Sequence, residues 1–263
     1  MQSLLTDHFA AFRALHGVSL PQLKAVSRLK LCRTAALGAH AQCCPHGHIQ
    51  GVWYNSCKHR ACPQCCALPQ ERWLRRLSSV LLDCPHHHMI FTLPAELHPL
   101  WRFNRERFAE LLFAAVHRTL QTFGADPKYL AAMPGVISCL HTWGRDLSLH
   151  PHMHCLLTHG GLNDAGDWVL PRKSVLFPQK PLMLVYRGKL LAALRRALLA
   201  GELVVPTDRS LQQCLNLCNQ LGRKAWVVHC CQRYDHASGV AKYLARYIKG
   251  GPLRNSQLLS VSP

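Results

Sequence analysis

A dense group of cysteines and histidines in the N-terminal quarter limits most strongly how this chain can fold. A Cys-x-x-His pair is followed sixteen positions later by a Cys-x-x-Cys pair. Each pair can close a small ring on a metal ion, and two such rings complete the tetrahedral cage of a structural zinc site. The sequence therefore predicts a zinc ion held by Cys43, His46, Cys62 and Cys65.

Other donors in the same stretch are kept in reserve, for this ion or for a second zinc ion: Cys32, His40, Cys57 and His59. The stretch contains few apolar residues, so a bound metal would supply much of its folding free energy, on the order of 10 kcal/mol or more. The alternative interpretation is a set of buried or redox-active thiols that bind no metal.

The charge balance points to a polyanionic partner. The chain has 263 residues, with 31 Lys plus Arg against 13 Asp plus Glu, and a formal net charge of +18. Nucleic acid is the commonest soluble polyanion. No Asp or Glu occurs from His8 through Gln70, so the N-terminal quarter should present a uniformly basic surface.

A membrane partner is not expected. The first twenty residues include Asp7, His8 and Arg13 and do not form a signal peptide, and no apolar run approaches the length of a membrane span. A basic amphipathic helix of the kind that lies in a bilayer surface is also absent. We therefore expect a soluble, cytoplasmic protein, in which the 14 cysteines do not form disulfides. The oligomeric state is left open.

Apolar spacing predicts an α+β fold with a small module at residues 1–69 and a larger domain at residues 70–252. One or two short helices should occupy the first 31 residues. Predicted helices of the domain cover 70–83, 100–123, 181–199, 210–221 and 238–249, and predicted strands cover 49–54, 88–93, 135–143, 149–157, 168–170 and 225–231. Three strands in succession indicate a central antiparallel sheet with flanking helices. The triplet at 86–88 is predicted to be mostly solvated loop, and Cys214 and Cys218 to be core.

Two short segments carry candidate chemistry. If 149–157 is a strand, its period of two places His152 and His154 on one face, as paired metal ligands. If 238–249 is a helix, Tyr243 and Tyr247 lie one turn apart, with Lys242 and Arg246 beside them. The alternatives are a polar strand face and a pair of tyrosines that only pack.

Three motifs in succession resemble one known family. They are 55–65 (NSCKHRACPQC), 150–155 (HPHMHC) and 243–247 (YLARY). Over about residues 30–250 the chain resembles the two-tyrosine rolling-circle transposases of the insertion sequence ninety-one type. These belong to the His-hydrophobic-His (HUH) endonucleases, which cut single-stranded DNA. Three motifs in the family's order are far more specific than any one of them.

The resemblance implies an enzyme that nicks and rejoins single-stranded DNA at transposon ends. His152 and His154 would hold Mg²⁺ or Mn²⁺ with a third ligand, and Tyr243 and Tyr247 would be the nucleophiles that form a 5′-phosphotyrosine. The third ligand is open among His141, Asp146, Asp235 and His236. His150 is open between ligand, support for a ligand and DNA contact. The expected DNA contacts are Lys58, Arg60, Lys242 and Arg246, in a bacterial, nucleoid-associated protein.

One departure from the family keeps two alternatives open. Family members usually continue past the tyrosine helix, whereas 253–263 is expected to be an unstructured tail, as in a truncated copy. One alternative is a non-catalytic, zinc-dependent DNA-binding protein. The other is a metallohydrolase in which His150, His152 and His154 form a zinc triad, with a general base drawn from Asp146, Asp164 and Asp167.

Overall fold

A computed structural model describes residues 1–144, 146–236, 238–248, 250–251 and 253–260, without the side chains of Ser238, Tyr243, Arg246 and Tyr247. Within that part of the chain the helices are α1 (Gln2–Leu15), α2 (Leu20–Lys30), α3 (Ala67–Ser78), α4 (His98–Phe103), α5 (Arg105–Ala125), α6 (Gln179–Leu199), α7 (Leu211–Leu221) and α8 (Ser238–Ile248). The strands are β1 (Ala39–Cys43), β2 (Ile49–Tyr54), β3 (His86–Thr92), β4 (Val136–Trp143), β5 (Leu149–Thr158), β6 (Gly161–Leu162), β7 (Trp168–Val169) and β8 (Val228–Tyr234). Among the described residues, no helix combines the length and apolarity that a membrane span requires.

The chain forms two compact units. The first contains Met1–Val80 and the described residues from Ala241 onward, and the second is Leu81–Val240. The sequence-based division placed α3 and the tyrosine segment with the larger domain. That division into 1–69, 70–252 and 253–263 stays a prediction about domain limits.

The first unit is built from a helix pair and a two-stranded hairpin. Helices α1 and α2 confirm the two short helices expected before residue 32, and β1 pairs antiparallel with β2. The Gln2 amide ties the start of α1 to the end of α2 by donating to the carbonyl oxygens of Lys30 and Cys32, at 2.7 and 3.0 Å. The buried cluster of this unit is small and consists mostly of thiols, namely Leu29, Cys32, Cys57 and Cys62.

The second unit contains a four-stranded sheet in the order β4-β5-β3-β8, with every neighbouring pair antiparallel. This sheet and the N-terminal thiol module confirm the α+β fold predicted from the sequence. The expectation of three consecutive strands in one sheet is wrong in part. Strand β7 pairs with β6 in a separate ribbon, and β3 takes the place beside β5.

One face of this sheet forms the main core of the second unit. Met89 and Phe91 of β3 share it with Met153 and Leu157 of β5, and all four are at most 1% exposed. Helices α5, α6 and α7 contribute the facing side chains. The buried Tyr186 of α6 packs edge-on against Phe91, and its hydroxyl donates to the Thr92 carbonyl oxygen at 3.2 Å. Because strand side chains alternate, the histidines of β5 lie on the opposite face.

Two local predictions fail for identifiable reasons. The triplet 86–88 is not solvated loop: it begins β3, and His86, His87 and His88 are 2%, 5% and 7% exposed. Imidazoles of other elements supply hydrogen-bond partners for His87 and His88 there. The helix predicted over 100–123 is broken at Asn104, whose side-chain amide donates to the carbonyl oxygens of Leu100 and Val204 and accepts from the Val204 N–H. The buried Cys214 and Cys218 confirm the core prediction for α7.

Replacing Phe91 by Ala should destabilise the second unit by about 3–5 kcal/mol, because it leaves a cavity between β3 and α6. Urea denaturation followed by circular dichroism measures the loss. Phe113→Ala is the matched control, since Phe113 is 38% exposed on α5 and should cost far less. Equal losses in the two variants would contradict the packing described here.

Candidate metal centres

Three imidazoles meet on the sheet face opposite the core. The antiparallel register of β4 and β5 pairs His141 with His152 and Cys139 with His154, so the His141 side chain projects from the same face as the two predicted ligands. One ring nitrogen from each of His141, His152 and His154 lies within 4.8 Å of the others. His141 and His154 are buried, at 2% and 1% exposure. Such a set of neutral nitrogen donors can bind a divalent transition metal.

Hydrogen bonds fix which ring nitrogens face the metal position. His152 Nδ1 lies 2.6 Å from the His150 carbonyl oxygen, which can only accept, so Nδ1 carries the proton and Nε2 is the candidate donor atom. His154 Nδ1 lies 2.7 Å from His88 Nε2. This contact commits Nδ1 of His154 and leaves its Nε2 for the metal.

His88 extends the set of hydrogen bonds away from the three ligands. Its Nδ1 lies 3.7 Å from the Cys231 thiol of β8, so that Cys231, His88 and His154 form a chain of contacts across three adjacent strands. If His154 Nδ1 donates to His88 Nε2, then His88 carries its own proton on Nδ1, towards Cys231. A metal bound by His154 would enforce that arrangement.

Burial keeps these imidazoles uncharged. Desolvation, followed by repulsion from His141, His152 and His88, lowers the pKa of His154 to about 2. Burial also lowers the pKa of His88 to about 4 and that of His152 below its ordinary value. Neutral imidazole is the form that coordinates a metal, so the site is ready to bind at neutral pH.

The other residues predicted for this site lie outside the group of three. His150 contributes its backbone carbonyl to His152, and their ring centroids are 5.0 Å apart. Asp146 is exposed and accepts from the backbone N–H and hydroxyl of Ser148. Asp235 is exposed, with one carboxylate oxygen 3.7 Å from an Arg233 nitrogen, and His236 is exposed. Of the four residues predicted as possible third ligands, only His141 lies beside His152 and His154.

A second candidate centre lies in the first unit and is made entirely of thiols. Cys32, Cys57, Cys62 and Cys65 each place a sulfur within 4.8 Å of the others. The measured Sγ–Sγ distances are 3.3 Å for Cys32 with Cys65, 3.6 Å for Cys57 with Cys65 and 3.5 Å for Cys62 with Cys32. A disulfide requires about 2.05 Å. A zinc ion with four sulfurs at about 2.3 Å would space them by about 3.8 Å, so these four fit a tetrahedral zinc site.

The electrostatics of the four thiols favour a shared cation. Burial opposes ionisation of Cys65, but hydrogen bonds from Cys32, Cys57 and Cys62 outweigh it and lower the pKa of Cys65 to about 7. Burial raises the pKa of Cys57 to about 11 and that of Cys62 further. Cys65 therefore ionises more readily than Cys57 and Cys62, and a zinc ion bound to the group would favour the thiolate form of all four sulfurs.

This group keeps two of the four predicted zinc ligands and brings in two from the reserve. Cys62 and Cys65 are joined by Cys32 and Cys57, whereas Cys43 and His46 lie outside the group. Cys43 is exposed at the end of β1, next to an irregularity in the β1–β2 pairing. Beyond it, the Cys44 thiol lies 3.4 Å from His48 Nδ1. The spacing of the Cys-x-x-His and Cys-x-x-Cys pairs therefore identified Cys62 and Cys65 but not Cys32 and Cys57.

The tyrosine segment is helical, as predicted. Tyr243 and Tyr247 lie one turn apart on α8, which spans Ser238–Ile248, but their side chains and that of Arg246 are outside the described part of the chain. Lys242 is exposed. In the first unit, Lys58 and Arg60 line one cavity, together with Arg33 and Arg72.

Comparison with known proteins finds transposases. A family model described as a putative transposase matches residues 135–262, and one described as a transposase zinc-binding domain matches residues 4–93. The putative transposase y4qJ of Sinorhizobium fredii is 34% identical over 95% of this chain and 65% of its own length. The transposase for insertion sequence element IS801 of Pseudomonas savastanoi pv. phaseolicola is 30% identical over 90% of this chain and 57% of its own length.

These matches confirm the resemblance to the transposases of the insertion sequence ninety-one type that was found in the sequence. The chain spans less than two thirds of the length of these two relatives. Among solved structures, the relaxase TrwC complexed with a 27-mer DNA comprising the recognition hairpin and the cleavage site is 14% identical, with a TM-score of 0.33 over 63% of this chain and 75% of that chain. A likeness at that level carries no conclusion.

Replacing Cys32 by Ser should remove the bound zinc and unfold the first unit, because three thiols cannot complete the cage. Zinc content per chain, measured by inductively coupled plasma mass spectrometry, and circular dichroism test this. Cys43→Ser is the discriminating control, and it should retain zinc and structure. Loss of zinc in Cys43→Ser with retention in Cys32→Ser would restore the ligand set predicted from spacing.

Replacing His88 by Ala should weaken Mn²⁺ binding about 10–100-fold, because His154 loses the group that orients it. Isothermal titration calorimetry with Mn²⁺ and the zinc-loaded chain measures this. His87→Ala is a matched control, since His87 Nε2 lies 2.7 Å from His159 Nδ1 and is equally buried, but lies away from the three ligands. His88→Gln should restore part of the affinity, because its amide oxygen can accept from His154. An equal loss of Mn²⁺ affinity in His87→Ala would indicate that His88 acts only by stabilising the fold.

Proposed function

We propose that this chain nicks and rejoins single-stranded DNA through a covalent tyrosine intermediate, as the nuclease part of a transposase. The observation that carries the proposal is the convergence of His141, His152 and His154 on one face of the sheet, in a chain that also places Tyr243 and Tyr247 one turn apart on α8. The similarity to transposases supports the proposal. A hydrolase would leave the two tyrosines without a role.

The residues take distinct parts in the proposed reaction. A tyrosine oxygen forms a bond to the scissile phosphorus, and the bond from phosphorus to the 3′ oxygen breaks. The tyrosine loses its proton and the leaving 3′ oxygen gains one, so the products are a 5′-phosphotyrosine and a free 3′-hydroxyl. The phosphotyrosine bond conserves the energy for rejoining. The second tyrosine lets the protein hold one cleaved end while it attacks another strand.

His141, His152 and His154 would hold the catalytic ion, which supplies polarisation of the scissile phosphate and neutralises charge on its oxygens. His141 is thus our choice for the third ligand. Three imidazoles suit Mn²⁺ better than Mg²⁺, since Mg²⁺ prefers oxygen ligands and retains several waters. The metallohydrolase alternative relies on His150, whose ring lies outside the group of three and whose carbonyl orients His152.

The thiol group would serve structure and not chemistry. We assign a structural zinc ion to Cys32, Cys57, Cys62 and Cys65, because a closed set of four thiolates leaves no position for water or substrate. The ion would complete a unit whose buried cluster is too small to be stable alone. Exposed lysines and arginines of this unit, with Lys58 and Arg60 among them, would contact phosphates of the DNA.

The adduct test decides among the three functions. Labelled single-stranded oligonucleotides that tile the DNA flanking the gene are mixed with the chain and Mn²⁺, and label that remains on the protein in denaturing electrophoresis is measured. We expect an adduct that disappears in the Tyr243→Phe/Tyr247→Phe double variant and falls at least about 10–100-fold in His141→Ala and His152→Ala. Tyr129→Phe is the control and should form the adduct normally, because Tyr129 packs against Phe123 and Phe177 of the main core and not against the three histidines.

Each other outcome supports a named alternative. Nicking that yields free 5′-phosphate and no adduct would indicate a metallohydrolase. Zinc-dependent binding without nicking would indicate a DNA-binding protein that has lost catalysis.

A further inference from the structure

The β1–β2 hairpin of the first unit carries aromatic rings on an exposed face. The register pairs His40 with Trp53 and Gln42 with Gly51, so these four side-chain positions share one face of the hairpin. Trp53 is 47% exposed and His40 is exposed. Their rings are nearly parallel, with planes 21° apart and centroids separated by 6.3 Å. The structural role ascribed to the thiol group leaves this face unexplained.

Gly51 allows the indole to lie flat along the strand. A Cβ atom at position 51 would come within 2.5 Å of Trp53 Cη2 and 3.0 Å of Cζ2 and Cζ3. The absence of a side chain therefore lets the ring rest against the backbone at position 51. Trp53 and His40 together present two nearly parallel, exposed aromatic rings on this face of the hairpin.

Three cations border that surface. Arg28, Arg33 and Lys58 line a cavity of about 770 Å³ together with His40 and Trp53, and no acidic residue is part of its lining. Each cation can neutralise one phosphate.

The backbone holds two of these cations in an uncommon conformation. Arg33 and Lys58 have φ values of 57° and 52°, a left-handed region that costs non-glycine residues free energy. The Arg33 N–H donates to the Asn55 carbonyl oxygen at 3.0 Å, and the Asn55 amide donates to the Leu37 carbonyl oxygen at 3.0 Å. The segment before β1 is thereby tied to the segment after β2, which sets where Arg33 emerges beside the hairpin.

We propose that this hairpin face is a stacking platform for unpaired DNA bases, with Trp53 and His40 as the stacking groups and Arg28, Arg33 and Lys58 as the phosphate contacts. Aromatic rings beside cations bind single strands, because every exposed base has a flat π-face and a phosphate close to it. A duplex hides those faces in its own stack. The platform therefore distinguishes single-stranded from double-stranded DNA in a unit separate from the three histidines. This inference deepens the proposed function by assigning a substrate contact.

Binding is measured by fluorescence anisotropy with a labelled oligothymidine, without divalent metal and in the Tyr243→Phe/Tyr247→Phe background, so that no cleavage interferes. Trp53→Ala should weaken binding about 5–150-fold, which corresponds to the loss of one stacked base, while the salt dependence stays the same. Trp53→Phe should restore most of the affinity. Gly51→Val should weaken binding as well, because it lifts the indole from the strand. Val52→Ala, an exposed position on the other face of the hairpin, is the matched control.

The DNA itself provides a second test that needs no variant. The unaltered chain should bind an oligonucleotide with abasic sites several-fold more weakly than the intact oligonucleotide. Its affinity for a duplex of the same length should not change in Trp53→Ala. Photocrosslinking with 5-iododeoxyuridine, mapped by mass spectrometry, should mark the peptide with Trp53 or His40. Equal affinity of Trp53→Ala and Val52→Ala, or crosslinks found only elsewhere, would overturn the platform.

The outcomes separate this inference from the proposed function. If the chain binds single strands through Trp53 but never forms a tyrosine adduct, the stacking platform is supported and the proposed nuclease function is rejected. If the chain forms the adduct while Trp53→Ala binds single strands normally, the nuclease function is supported and the platform is rejected.

Discussion

The register between β4 and β5 is the constraint on which the candidate catalytic centre depends. It sets His141 opposite His152, and because strand side chains alternate, a slip of one residue would send His141 to the core face. Met153 and Leu157 resist that slip, since they occupy the buried face between β5 and the helices. The hydrophobic core therefore positions polar groups that it does not touch. The same pairing logic brings His88 of β3 to His154.

Burial favours the uncharged form of the side chains in both candidate centres, which helps the imidazoles to bind a metal but opposes formation of the thiolates. In the second unit, desolvation keeps the imidazoles neutral, which suits them to bind a metal ion and not to contact phosphates as cations. In the first unit, it opposes ionisation of Cys57, Cys62 and Cys65, of which Cys65 remains the most acidic. A cation among those sulfurs would remove that penalty. A thiol core with a bound metal would therefore replace an apolar core in a unit whose buried cluster consists of Leu29, Cys32, Cys57 and Cys62.

Local spacing was enough to predict which candidate residues lie side by side within one strand or one helix. The two-residue period of a strand predicted that His152 and His154 share one face, and the helical repeat predicted that Tyr243 and Tyr247 lie one turn apart. Sequence could not select His141 or find His88, because both reach the site through strand pairing and β3 precedes β5 by more than fifty residues. The burial of 86–88 was missed for the same reason, since the imidazole partners of His87 and His88 lie just beyond β5 and on β5. Cys32 and Cys57 were only reserve candidates for zinc ligands, because short motifs such as Cys-x-x-Cys indicate ligands that are close together in the chain.

The proposed function requires that the chain hold two metal ions through two defined sets of side chains. Crystals grown with zinc and soaked in Mn²⁺ would test this requirement by anomalous scattering at the two absorption edges. We expect a zinc peak about 2.3 Å from the sulfurs of Cys32, Cys57, Cys62 and Cys65. We also expect a manganese peak within coordination distance of ring nitrogens of His141, His152 and His154. A zinc peak at Cys43 and His46, or a manganese peak that lacks His141, would contradict these ligand sets.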